Sequence, residues 1–235
     1  ARDERRQQAS GEHAGDHGHD NRHRYRIHRA PHPARQPQAQ HQHAGGEKRA
    51  DHTSETDRAG DHVVPVAVLG HKADLAFMVL GDELRRQRRF QTELQAAGLE
   101  VVDSYVSLTE VSEYAQGMPE EMKIPRLHPQ LPPEGKSAWC FYPMSKKRVP
   151  EQNWFTEPYE RRKELMLEHG TSGRKFAGRV LQVVTGSTGL DDFEWGVTLF
   201  GTNPDDIKDV VYTMRFDRAS AIYADFGVFY TGLVC

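Results

Sequence analysis

The sequence predicts an α+β fold made of two related halves, and three observations carry that prediction. Apolar alternation with period two begins abruptly at Val63, after a long polar segment. From there, strand-like stretches alternate with stretches of helical period, in the order β-β-α-β and then β-α-β-β-α-β. Gly, Pro, Asn and Thr punctuate the joins.

Residues 1–62 hold ten of the 13 histidines, and their only large apolar or aromatic side chains are Tyr25 and Ile27. Burying so little apolar surface does not offset the entropy of ordering the backbone, so a low-complexity, disordered segment is expected. The tract "EHAGDHGHDNRHRYRIHRAPH" has His spacings that suit Zn or Ni. Without Cys, a packed scaffold or partners that orient the imidazoles, such ligands hold a metal loosely and exchange, so compositional bias is the stronger reading of the tract.

In the first half, "VVPVAVLG" and "ADLAFMVL" read as strands around "GHK", residues 82–97 as a helix ended by Gly98, and "LEVVDSYVSL" as a further strand. Residues 118–133 read as an extended connector, because Pro125, Pro129, Pro132 and Pro133 each remove a backbone donor. In the second half, a strand over 138–144 precedes a helix over 157–169, with Thr156 able to cap its first turn and Gly170 suited to end it. "RVLQVVTG" and "FEWGVTLF" follow as strands joined by "STGLDD"; Asn203 and Pro204 open another helix, and "FGVFYTGLV" closes the series as a strand. The second series has the order of a ferredoxin-like unit, and the first is that unit without its initial strand and helix. The expected divisions are 1–62, 63–133 and 134–235. The missing strand and helix would fall within 1–62, lost through a shifted reading frame, or the first half is built differently.

A chain of 235 residues with net charge -3 has room for a sizeable core and carries no basic excess. No nucleic-acid or membrane-surface partner is therefore expected. Cys140 and Cys235 are too few for a disulfide framework, no apolar run reaches about 18 residues, and the N-terminus has no secretory apolar core. A cytoplasmic location without membrane insertion is the expectation.

Several side chains could carry chemistry. In "SAWCFYPMSKKR", Cys140, Tyr142 and Met144 share one strand face, Trp139 and Phe141 the other, and Lys146, Lys147 and Arg148 follow at once. Either the cations are a solvated run beside a half-buried aromatic, or, with Arg126, they hold substrate carboxylates next to a phenol that moves protons or electrons. His169 stands one turn after Leu165 and Met166, at an apolar edge. By residue type alone it reads as a helix-terminal His facing the dipole, although haem iron also requires such an imidazole. Gln182 shares a face with Val180 and Val184, as a cross-strand partner or as a polar group aimed into a pocket. Arg215 and Ser220 in "MRFDRASA" read as surface or as further carboxylate donors.

Taken in order, "GHKADL", "CFYPMSKKR", "NWF", "RRKELMLEHGTSGRKFAGRVLQVVTGSTGLDDFEWGVTLF" and "VYTMRFDRASAIYADFG" resemble the coproheme decarboxylases of the chlorite dismutase superfamily. The resemblance runs from Val63 to the C-terminus. It implies a dimeric α+β barrel of two ferredoxin-like halves, assembled as a homopentamer. It also implies oxidation of iron coproporphyrin III by hydrogen peroxide, with two propionates converted to vinyl groups to give haem b, so that the substrate is also the redox cofactor. The ferrochelatase that supplies coproheme would be a transient partner. By the same resemblance, His169 is the proximal iron ligand and Tyr142 the catalytic tyrosine whose radical takes a hydrogen from the propionate. Arg126, Met144, Lys146 and Ser220 match substrate-contacting positions. Gln182 stands where chlorite-degrading relatives place an arginine, which favours decarboxylation over chlorite chemistry, and His128 in the connector is a possible distal base toward peroxide. A non-catalytic porphyrin-binding protein and a chlorite dismutase-like peroxidase are the alternatives.

Equilibrium dialysis of residues 1–62 against Zn(II) or Ni(II) is expected to show no micromolar or tighter binding; tight uptake would make the His-rich tract a metal site in its own right.

Overall fold

The computed structural model describes residues 61–115 and 117–235, so expectations for the His-rich segment and the missing strand and helix lie outside the described residues. Strands β1 (His62–Val68) and β2 (Leu75–Leu80) form a hairpin, followed by helix α1 (Leu84–Ala96) and a two-residue strand β3 (Leu108–Thr109). Helix α2 (Glu120–Leu127) leads to β4 (Ala138–Lys146), then a small ribbon of β5 (Arg148–Val149) and β6 (Gln152–Asn153). Helix α3 (Tyr159–Arg174) is followed by β7 (Val180–Gly186) and β8 (Trp195–Gly201). Helices α4 (Pro204–Met214) and α5 (Arg218–Ala221), then β9 (Ala224–Phe226) and β10 (Tyr230–Val234), complete the chain.

The main sheet is antiparallel, in the order β2-β1-β10-β4-β8-β7-β3, with β9 added to β4. It is the expected α+β architecture, and it curls. Strands of the first half flank those of the second, β1 on β10 and β3 on β7. The register aligns Cys140 with Leu199 and Gln182, and Tyr142 with Val197 and Val184. These rows share one face of the sheet.

That face packs on α4: Ala138, Cys140, Tyr142, Val197 and Leu199 form a buried cluster with Phe176, Ile207 and Val210. The opposite face buries Val64, Val66, Leu131, Trp139, Val183 and Phe200. The alternation read from "WCFYPM" therefore divides β4 between two cores.

Several elements differ from expectation, each for a physical reason. The first strand begins at His62, and Asp61 is buried before it, paired with Arg86 of α1. Of "LEVVDSYVSL" only Leu108 enters the ladder, with Thr109, opposite the end of β7. The rest is held by side chains: Val106 N–H donates to Asp191 at 2.8 Å, and Ser107 bonds Thr185 at 2.7 Å. Alternation specifies an extended chain, and here side-chain bonds rather than a continued ladder hold it beside the sheet.

The connector contains a helix where an extended loop was expected. "EEMKI" starts it with acids at the positive end of the dipole, and Pro125, near the C-terminus, removes only one donor. Helix α3 runs through Gly170 to Arg174, so His169 is an interior rather than a terminal residue. Gly173 faces α4, and a Cβ there would meet Met214 Cε at 3.5 Å, an ordinary van der Waals contact. The left-handed glycine comes later, at Gly178. Thr156 donates to the Asn153 carbonyl at 3.0 Å instead of capping α3, and Asn203 occupies the N-cap position of α4 without a side-chain bond.

The closing strand is broken in two. Phe141 pairs with Tyr230 and Met144 with Phe226, so Gly227, Val228 and Phe229 face only Tyr142 and Pro143. This is a bulge, and Gly227 is required in it, since a Cβ would come within 2.6 Å of Pro143 Cγ.

Phe200, fully buried where β8 meets the second core, is expected to cost about 3–5 kcal/mol on truncation to Ala. Urea unfolding of Phe200→Ala checks this, and a loss below about 1 kcal/mol would show that this core is loosely packed.

Candidate functional site

The bulge sets the surroundings of Tyr142. It turns Phe229 onto the phenol ring, with centroids 4.4 Å apart and planes at 22°, while Phe226 meets the ring edge-on at 5.6 Å. Tyr142 is only 7% exposed, and burial raises its pKa, with the nearby Cys140 adding to the effect. The phenol keeps its proton at neutral pH. Met144 packs against the same cluster.

Beyond Met144 on the same face is Lys146, also buried. Its ammonium donates to the Ala219 carbonyl at 2.6 Å and lies 4.8 Å from the centre of the Trp154 ring. Burial pushes its pKa down to about 8. An ammonium has three donors. With one on Ala219, two remain for an incoming carboxylate.

His169 lies across α5 from Lys146. Its Nδ1 is 3.2 Å from Asp217 Oδ2 and 3.4 Å from Ser220 Oγ, and Ser172 donates to the other Asp217 oxygen at 2.6 Å. Asp217 is 5% exposed. Burial and the charge of Lys146 lower the imidazole pKa, and Asp217 opposes them. The ring is neutral at neutral pH, with a proton on Nδ1 toward the carboxylate and a lone pair on Nε2. A carboxylate behind a histidine in this way is how proteins orient an imidazole for a metal.

The short helix α5 thus carries Asp217 at its N-cap, Ala219 under Lys146 and Ser220 beside His169. Gln182 and Val184 lie on the Tyr142 face, and both are exposed where α4 does not cover the sheet. The sheet register thus puts Tyr142, Met144, Lys146 and Gln182 on one face, and α3 and α5 bring His169 and Ser220 to the Lys146 end of it. Arg126 and His128 are not drawn into this group. Both lie at the end of α2, where Arg126 bonds the Met122 carbonyl of its own helix. A charged cavity of about 260 Å³ opens beside Lys146, lined among others by Lys147, Arg148, Asp192, Glu194 and Asp225. There Arg148 pairs with the nearly buried Glu194. Arg215 stacks on Tyr212, with its guanidinium carbon 4.0 Å from the ring centre.

Sequence reasoning missed Asp217, Ser172 and Phe229. "MRFDRASA" does display an Asp ahead of a short helix, which reads as an N-cap. Instead the side chain serves the neighbouring helix, which only the packing of α5 on α3 reveals.

The pH dependence follows from the two shifts. Lys146 is depressed from 10.5 to about 8, so its contribution to stability is present above pH 10.5 and is lost as the pH falls through about 8. His169, depressed below 6.5, likewise loses its contribution as the pH falls below about 6.5. At neutral pH the charged Lys146 therefore opposes folding, which predicts that Lys146→Met raises unfolding stability by about 1–3 kcal/mol. Denaturant melts at pH 7 check this; a large loss would mean that the ammonium's bonds outweigh its burial.

Comparison with known proteins adds to this geometry. The sequence profile of the chlorite dismutase family matches residues 46–235. A coproheme decarboxylase of Staphylococcus saprophyticus subsp. saprophyticus is 43% identical over 190 residues, covering 75% of this chain and 74% of that protein. One from Staphylococcus carnosus is 42% identical, covering 76% and 74%. A protein of Natronomonas pharaonis named as heme-binding is 45% identical over 185 residues, covering 71% of this chain and 30% of that longer protein. Among solved structures, a heme-binding protein from Thermus thermophilus superposes with TM-score 0.72 at 39% identity, covering 77% of this chain and 76% of that one. A chlorite dismutase from Candidatus Nitrospira defluvii shares the fold, with TM-score 0.62 at 20% identity, covering 78% of each chain.

Proposed function

The chain belongs to the chlorite dismutase family, and from that premise we propose that it is a coproheme decarboxylase. It converts iron coproporphyrin III to haem b with hydrogen peroxide. The observation that carries this reading is a buried phenol and a buried ammonium on one strand face with Met144 between them, beside a neutral imidazole held by a carboxylate. Chlorite chemistry calls for a cation over the iron to hold an anionic oxidant, and Gln182 offers a neutral amide there.

Each propionate loses carbon dioxide, a hydrogen atom and an electron, and leaves a vinyl group; each hydrogen peroxide takes up the two electrons and ends as two waters. The iron porphyrin, as substrate, supplies with peroxide the oxidising power when bound. His169 Nε2 would hold the iron, with Asp217 keeping the Nδ1 proton on the far side of the ring. The two free donors of Lys146 bind the reacting carboxylate, with Ser220 and Met144 beside it. Tyr142 passes the oxidation from the porphyrin to the propionate carbon, giving up its phenolic hydrogen and taking one from the substrate. Its aromatic cage excludes water from that exchange.

By the family resemblance, Arg126 would contact the propionates and His128 is the candidate base toward peroxide. Residues 134–235 form the catalytic half and 63–133 its partner. The working assembly is a cytoplasmic homopentamer that receives its substrate in transient contact with ferrochelatase. Among the described residues no helix is long and apolar enough to cross a membrane.

Loading the protein with iron coproporphyrin III under anaerobic conditions and titrating with peroxide is expected to give a three-propionate intermediate and then haem b by mass spectrometry. Tyr142→Phe is expected to bind coproheme but yield neither product. Binding without mass change in the parent protein would identify a porphyrin carrier, and full activity in Tyr142→Phe would remove the phenol from the reaction.

A further inference from the structure

The hydrogen bond between His169 and Asp217 joins two helices, and something must fix their relative position. Asp217 and His169 sit on different elements, α5 and α3, and α5 has only four residues. A helix that short has little stability of its own. Its place is set by what it touches.

On the outer side of that junction, Glu168 is the neighbour of His169, and Arg218 is the neighbour of Asp217. One oxygen of Glu168 accepts the backbone N–H of Arg218 at 3.1 Å, and the other accepts Arg218 Nε at 2.7 Å. Arg218 Nη2 lies 2.5 Å from that same Glu168 oxygen and also reaches Glu164, one turn earlier on α3, at 3.2 Å. Glu164 in turn accepts from Arg161 at 2.7 Å. Both carboxylates are held below their ordinary pKa, in each case mainly by the arginines that donate to them.

Exposed ion pairs contribute little to global stability, and these side chains are partly solvated. The importance of this group lies in its geometry. A single carboxylate ties down both the main chain and the side chain of the residue that follows Asp217, and the planar guanidinium spans two turns of α3. Resting on the reading of His169 as the iron ligand, we infer that Glu168 and Arg218 are positioning residues that lock α5 against α3 and thereby set the orientation of Asp217 on the imidazole. The strength with which His169 would hold the iron is then set by a surface clamp one residue away on each helix.

The test uses the full chain reduced with haem b, read by resonance Raman spectroscopy of the iron–histidine stretch. Glu168→Ala and Arg218→Ala are expected to shift this band down, toward its position in Asp217→Asn. Glu168→Gln, which keeps an acceptor for the Arg218 N–H, is expected to fall between. Lys163→Ala, which removes a surface ion pair of α3 that does not reach α5, is expected to leave the band in place. In the haem-free protein, amide exchange at Ser220, Ala221 and Ile222 is expected to become about fivefold faster in Glu168→Ala. An unmoved band in Glu168→Ala and Glu168→Gln, with haem bound, would overturn the inference, even if melting temperature fell. Absence of any iron–histidine band in the parent protein would instead overturn the assignment of His169.

Discussion

Everything at the site depends on β4 being bonded along both edges, to β8 on one side and to β10 and β9 on the other. A central strand cannot shift register without moving every side chain to the opposite face. Tyr142 and Lys146 are therefore fixed in their spacing and direction. The one irregularity along that strand is the bulge opposite Tyr142 and Pro143, and it is what brings Phe229 onto the phenol. Proline favours it, because Pro143 has no N–H to offer a continuous ladder.

The electrostatics follow from burial. Lys146 and His169 each lose hydration, the charge of Lys146 further disfavours a proton on His169, and Asp217 opposes both effects on the imidazole. The result is a neutral imidazole, a weakened ammonium and a phenol that keeps its proton. A buried ammonium of this kind opposes folding, and a bound carboxylate would relieve that cost. The local instability and the affinity for an acidic group have the same origin.

Much of this was legible in advance, and the failures have causes. The facing of Tyr142 against Trp139 came from alternation alone, because side-chain direction in a strand has period two whatever the partners. The ferredoxin-like order of the second half was likewise readable from turn signals. Gly170, by contrast, reads as a helix stop, yet α3 passes through it, since packing against α4 and α5 rewards continuation more than a left-handed exit would. "EEMKI" reads as part of a Pro-rich loop, but one proline near the end of a short helix removes a single donor. "LEVVDSYVSL" has the pattern of a strand, but only its last residue joins β7, and side-chain bonds hold the part before it.

The sequence by itself determined the α+β class, the face that Tyr142 shares with Cys140 and Met144, and, through its resemblance, the family. Those depend on local periodicity and on chemistry that side chains carry with them. Only the tertiary structure decided that Asp217 belongs to His169, that Ala219 receives Lys146, and that Phe229 covers Tyr142. Each of these contacts joins elements 48, 73 or 87 positions apart in the chain, and such contacts depend on packing that no local pattern encodes.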